Sequence, residues 1–192
     1  MNIFLYNFNA KYTRENIAKD FLFKEDSRNW FLTEKQLKEY LTQYIAFIPQ
    51  PIWNALEKEN WKIYFTNEEL EKKFNISFEI YGITDYENKV IYVYAHELGI
   101  RYSLAHEIGH FLDEYFGKIS NLTEWEQIRE GHQKSNEIPI YYFTDMDNNE
   151  EYFADCFLLY VNNKKLLEKC NKRACNLFDK IVNNMDALTE IL

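Results

Sequence analysis

Hydrophobic and polar positions change period several times along this chain, and the changes mark out its elements. Thr33 with Gln36 forms a capping box that predicts a helix through about Phe47. Ile48-Pro49-Gln50-Pro51 ends it, and Pro51 suits the first turn of a short helix carrying Ile52, Trp53 and Leu56. Residues 61–66 alternate as a strand does, and Asn67 is placed to cap a short helix through about Phe74. Residues 77–81 and 89–94 read as further strands joined by a turn region over 82–88. Helical spacing returns from about Ile100 to Phe116, with Gly117 as its stop. Asn121 with Glu124 and Asp147 with Glu150 open two more helices, and a last one starts near Lys172.

This order predicts an α+β fold. A small mixed sheet of three to four strands packs on the helix of residues 100–116, and a helical C-terminal subdomain follows. The 192 residues are expected to form one domain. Its parts are a helical region to about residue 47, the sheet and central helix over about 48–116, and the helical subdomain over about 117–192. Apolar residues make up 46%, including 15 Tyr and 15 Phe, which is enough for a large aromatic core.

The net charge of −9 argues against nucleic acid or an anionic membrane as a partner. No apolar run approaches membrane-spanning length, so no membrane insertion is expected. Cys156, Cys170 and Cys175 lack zinc-knuckle spacing and are expected to be free thiols, as a reducing compartment favours. The first 20 residues lack the unbroken apolar stretch of a signal peptide. The expectation is a cytoplasmic protein, or a secreted one whose signal has already been removed, acting as a monomer.

One pentapeptide names a chemistry. His106-Glu107-Ile108-Gly109-His110 places two imidazoles four residues apart, hence one above the other on one helix face. That spacing grips one Zn²⁺ and leaves the intervening Glu107 to reach a water on the metal as general base. Tyr102, Leu104, Ala105, Ile108, Phe111 and Leu112 supply the buried face such a helix needs.

A catalytic zinc site needs a third protein ligand and an open position. Glu150-Glu151-Tyr152-Phe153-Ala154-Asp155 offers it, with enough intervening chain for a second helix to return across the first. Glu151 in the first turn is the expected ligand. Asp155, one turn on, is expected to accept the N–H of a ligating histidine and fix its tautomer. Glu150 competes for the ligand role, but its spacing from Asp147 suits a capping box better. His96 begins a similar run but has Ile100 where a second His must stand, and His132 falls in a polar stretch and is expected to be solvated.

These segments resemble the catalytic domain of anthrax lethal factor and the related Pro-Pro endopeptidases of Gram-positive bacteria. The resemblance covers Ile48-Pro49 through Thr66, residues 89–94, the helix from His106 to Asp113, and Glu151 to Phe157. It implies a zincin-like zinc endopeptidase with His106, His110 and Glu151 as ligands and Glu107 as general base, in agreement with the reading of the residues. It also implies a tyrosine shortly before the Glu ligand that stabilises the oxyanion. Thr144 stands at the expected place, so a short insertion must put Tyr142 or Tyr141 in that role, with Tyr142 preferred. Asp155 stands where the family usually has Glu.

The expected reaction is hydrolysis of a peptide bond in an extended segment of a protein substrate, paired along an exposed strand at residues 89–94. The competing readings are an intracellular HExxH peptidase that cuts a regulatory protein, and a non-catalytic toxin component or pseudoenzyme that kept the fold as a binding module. An intact Glu107 speaks against the last, because a binding module has no need of the base.

Overall fold

The computed structural model of the protein describes residues 4–6, 34–45, 47–66, 68–132, 143 and 145–185. The chain forms two compact units, Met1–Leu104 and Ala105–Leu192. The first contains strand β1 (Phe4–Tyr6), helices α1 (Glu34–Ile45) and α2 (Gln50–Lys58), strand β2 (Lys62–Thr66), the short helix α3 (Leu70–Phe74), strands β3 (Gly82–Asp85) and β4 (Val90–Tyr94), and a π-helical turn, Gly99–Ser103. Helix α2 starts with Pro51 in its first turn and buries Ile52, Trp53 and Leu56, as its sequence predicts.

The sheet is mixed, with strand order β1-β2-β4-β3 and a parallel pair, β2 and β4, at its centre. Strand alternation makes its two faces. Ile63 pairs with Ile91 and Phe65 with Val93, all four buried, while Tyr64 and Tyr92 stack at 5.5 Å on the opposite face.

Long-range pairing changes three local expectations. Phe4–Tyr6, assigned by sequence to a helical N-terminal region, is a strand antiparallel to β2. Residues 77–81 do not form a strand; the partner of β4 is Gly82–Asp85, inside the expected turn region. The turn is tighter than expected. The Asp85 carboxylate accepts from the backbone N and Nδ2 of Asn88, and Lys89 takes φ 53 to close the hairpin. Because β4 is hydrogen-bonded on both sides, it has no free edge for an added substrate strand. Thr33 and Asn67, the expected caps, lie outside the described residues, and Glu69 is the N-cap of α3.

The second unit is helical: α4 (Leu104–Tyr115), a 3₁₀ turn Ile119–Asn121, α5 (Thr123–Glu130), α6 (Asn149–Cys170) and α7 (Lys172–Asn184). Asn121 does not cap α5. It closes the 3₁₀ turn, and the extended Leu122 is the N-cap, with no side-chain hydrogen bond. Asn163 breaks the helical dihedrals of α6 (φ −155, ψ 71), and its side chain accepts from the N–H of Leu166, capping the segment that follows. Trp125 sits at the centre of the core between Tyr152, Phe153 and Phe178 and donates its indole N–H to the Asn149 carbonyl at 3.0 Å. The three cysteines are buried thiols with no disulfide between them. No helix of the described residues is long and apolar enough to cross a membrane.

Candidate metal centre

Helix α4 carries His106 and His110 on one face and ends where Gly117 turns left-handed at φ 78. The Lys118 N–H returns to the Asp113 carbonyl at 2.7 Å, and the Gly117 N–H to that of Glu114 at 3.0 Å, which closes the helix in a Schellman motif. Asp113 is buried, and its carboxylate accepts from the N and Oγ of Ser120, which fixes the chain leaving the helix.

Helix α6 delivers the carboxylates. Its N-cap is Asn148, one residue later than the sequence suggests, accepting from the N–H of Glu150 and Glu151 at 3.0 and 3.3 Å. Asp147 cannot cap because it lies inside a turn that Asp145 closes onto the N–H groups of Asp147 and Asn148. The shift has a chemical consequence. A Glu three residues after an N-cap ordinarily reaches back to the cap's N–H. Asp145 already holds that N–H, so the Glu151 carboxylate is available to face the histidines.

The groups then converge. His106 Nε2 lies 3.2 Å from Glu151 Oε2, His110 Nε2 lies 3.6 Å from Glu151 Oε1, and the two Nε2 atoms are 3.1 Å apart. Among the described residues, His106, His110 and Glu151 form a group able to hold a metal ion, with one potential ligand atom from each within 4.8 Å of the others. Behind it, Asp155 is 2% exposed and bonds His106 Nδ1 through Oδ1 at 2.8 Å. Glu107 is buried on the same helix, and its charge acts on His106.

The electrostatics separate the two rings. Burial opposes charge on His106, but hydrogen bonds to Asp155 and Glu151 outweigh it and raise its pKa to about 10. At His110, burial and the neighbouring His106 cation push the pKa down to about 4. The hydrogen bond from His106 holds Glu151 below the usual carboxylate range.

Not every expected residue is placed here. Tyr141, Tyr142 and Thr144 lie outside the described residues. His132 is not solvated as expected. It is half-buried against Phe143 and Tyr152, with Nδ1 2.9 Å from the Tyr152 hydroxyl, and burial lowers its pKa. Neighbours in sequence are polar, but Tyr152 reaches it from α6. His96 accepts from the Leu98 N–H through Nδ1 and stacks on Tyr94.

Gly109, unremarked in the sequence, is what lets the two helices meet. A Cβ on it would lie 2.7 Å from the Ala154 Cα and 3.2 Å from the Ala154 carbonyl oxygen, both backbone atoms. A glycine inside a helix costs about 1 kcal/mol relative to alanine, and that cost is the signal that something must pass close by. Gly109→Ala recovers this propensity but forces α4 and α6 apart, and overpacking of about 1–3 kcal/mol wins. The variant is expected to melt at lower temperature, since α6 is displaced from α4 and carries Glu151 and Asp155 with it. A higher melting temperature by calorimetry would show that the helices relax without penalty.

A family model described as anthrax toxin lethal factor, N- and C-terminal domain, matches residues 85–183. No curated protein and no solved structure matches the chain. The matched region takes in just over half of the 192 residues and includes both α4 and α6, the helices that bring the histidines and Glu151 together. The chain therefore belongs to the anthrax toxin lethal factor N- and C-terminal domain family.

Proposed function

We propose that this protein is a zinc-dependent endopeptidase that hydrolyses a peptide bond in an extended segment of a protein substrate. The observation that carries the reading is the convergence of His106, His110 and Glu151 on one point, with Asp155 behind His106 and Glu107 buried on the intervening turn. Two imidazoles and one carboxylate are the donor set of a catalytic zinc site that keeps a position open. Hydrogen bonds to Asp155 and Glu151 outweigh burial and raise the His106 pKa to about 10, so the carboxylates make this a place that favours positive charge.

Bound zinc would supply Lewis acidity and lower the pKa of a water toward neutrality. The chain's own groups do the rest. Asp155 accepts the His106 Nδ1 proton, which leaves Nε2 as the ligand atom and fixes the ring. Glu107 accepts a proton from the attacking water and returns it to the departing amine nitrogen as the C–N bond breaks. Glu107 is buried, so bulk water screens its charge little.

The test is zinc content together with cleavage of a proteome-derived peptide library by the wild type and by Glu107→Gln. Zinc near one per chain and cleavage confined to the wild type support the reading. A zinc-free wild type, or zinc without cleavage, overturns it; the second result leaves a binding module.

The resemblance also assigns the oxyanion to Tyr142. Tyr142→Phe removes only a hydroxyl and is expected to lower kcat by about 10²–10³-fold while zinc content and melting temperature stay near wild type. Loss of turnover in Tyr141→Phe instead moves the role by one residue.

A further inference from the structure

The Nε2 atoms of both histidines face Glu151 and lie 3.1 Å from each other at the metal point. An imidazole that offers Nε2 to a cation carries its proton on Nδ1, and for His106 that proton goes to Asp155 at 2.8 Å. The same requirement places the proton of a neutral His110 on Nδ1. That nitrogen is buried and has no hydrogen-bond partner among the described residues, an expensive state for an N–H.

The nearest acceptor is the carboxylate of Glu150, whose Oε1 lies 3.8 Å from His110 Nδ1. Glu150 is not oriented by chance. Lys118 binds the same Oε1 at 2.9 Å and also reaches Glu114 at 3.3 Å. Lys118 occupies this place because α4 ends in left-handed residues, Gly117 and then Lys118 at φ 65, which fold the chain back toward the first turn of α6. The Asn148 cap completes the arrangement by anchoring the Glu150 N–H.

We infer that Glu150, held in place by Lys118, is a positioning residue that accepts the Nδ1–H of His110 and fixes that ring with Nε2 toward the metal point. Each histidine then has its own carboxylate: Asp155 for His106 and Glu150 for His110. Adjacent residues of one helix divide the work, Glu151 facing the metal point and Glu150 facing the histidine behind it. The 3.8 Å separation is longer than a hydrogen bond, and a small rotation of the exposed end of Glu150, or one intervening water, closes it.

This rests on the zinc reading above, but its test does not depend on zinc. Long-range ¹H–¹⁵N spectra of the imidazoles report the tautomer of His110 in the protein prepared without metal, and chelator competition reports zinc affinity. The variants are Glu150→Ala, Glu150→Gln and Lys118→Met. The wild type is expected to show His110 protonated on Nδ1. Glu150→Ala is expected to mix the tautomers and weaken zinc about tenfold, the low end of the 10–100-fold range because Glu150 is partly exposed. Glu150→Gln keeps an acceptor oxygen and is expected to restore the tautomer, whereas Lys118→Met is expected to fall between. A purely structural role for Glu150 would change the melting temperature and leave the tautomer alone. A wild-type His110 protonated on Nε2, or an unchanged tautomer in Glu150→Ala, overturns the inference. A wild type that binds no zinc, yet loses the Nδ1 tautomer in Glu150→Ala, overturns the zinc reading and leaves the Glu150 assignment standing.

Discussion

Glu107→Gln is expected to retain zinc and to lose peptide hydrolysis by about 10²–10⁴-fold, the usual contribution of a positioned general base. The amide has nearly the shape of the carboxylate, so packing on the buried side of α4 should survive. What it lacks is basicity: it can neither accept the proton of the attacking water nor return it to the amine. Glu107 is 6% exposed, so bulk water cannot easily substitute as proton acceptor. Two effects oppose each other in the binding measurement. Removing a negative charge that acts on His106 weakens cation affinity slightly, while the three proposed ligands remain. The ligands should win, leaving zinc near one per chain. The measurement is kcat on a cleaved peptide beside metal content. Turnover within a few-fold of wild type would mean that another group is the base.

His110→Ala is expected to empty the site. A structural zinc site with four ligands holds its metal with about 10–16 kcal/mol, so one ligand is worth roughly 3–4 kcal/mol. That corresponds to about 10²–10³-fold in affinity. The two groups left, His106 and Glu151, would form a two-ligand site on the edge of retention. The variant also removes a buried ring packed against His106 at 4.8 Å between centroids, so some loss of melting temperature is expected with or without metal. Metal analysis after dialysis separates the effects, because a packing defect alone would not release zinc. Stoichiometric zinc in folded His110→Ala would remove His110 from the ligand set.

Much of this centre can be read from the chain because helices are local. A period of 3.6 residues puts His106 above His110 and Glu151 above Asp155 without reference to any other part of the protein. Gly117 announces the end of α4 by the same short-range logic, since a left-handed residue is least costly as glycine. The run from Glu150 to Asp155 likewise offers Glu151 and Asp155 one turn apart, and the structure brings both to His106.

Other features depend on partners distant in sequence, and local patterns misplace them. Strand β3 and the interior position of β4 follow from hydrogen-bond pairing, which the alternation of residues 77–81 does not encode. The cap of α6 moves from Asp147 to Asn148 because Asp145 claims two backbone N–H groups, a competition between neighbouring side chains that capping statistics do not resolve. His132 is half-buried because an aromatic residue from α6 covers it. Gly109 shows the division most clearly. Its helix would be better served locally by alanine, and only the Ala154 backbone crossing at van der Waals distance explains why no side chain stands there. Which residues share a helix face depends on a fixed period and is therefore local to the chain. Which faces meet, and how closely, depends on backbone groups far apart in the chain competing for the same space and the same hydrogen bonds.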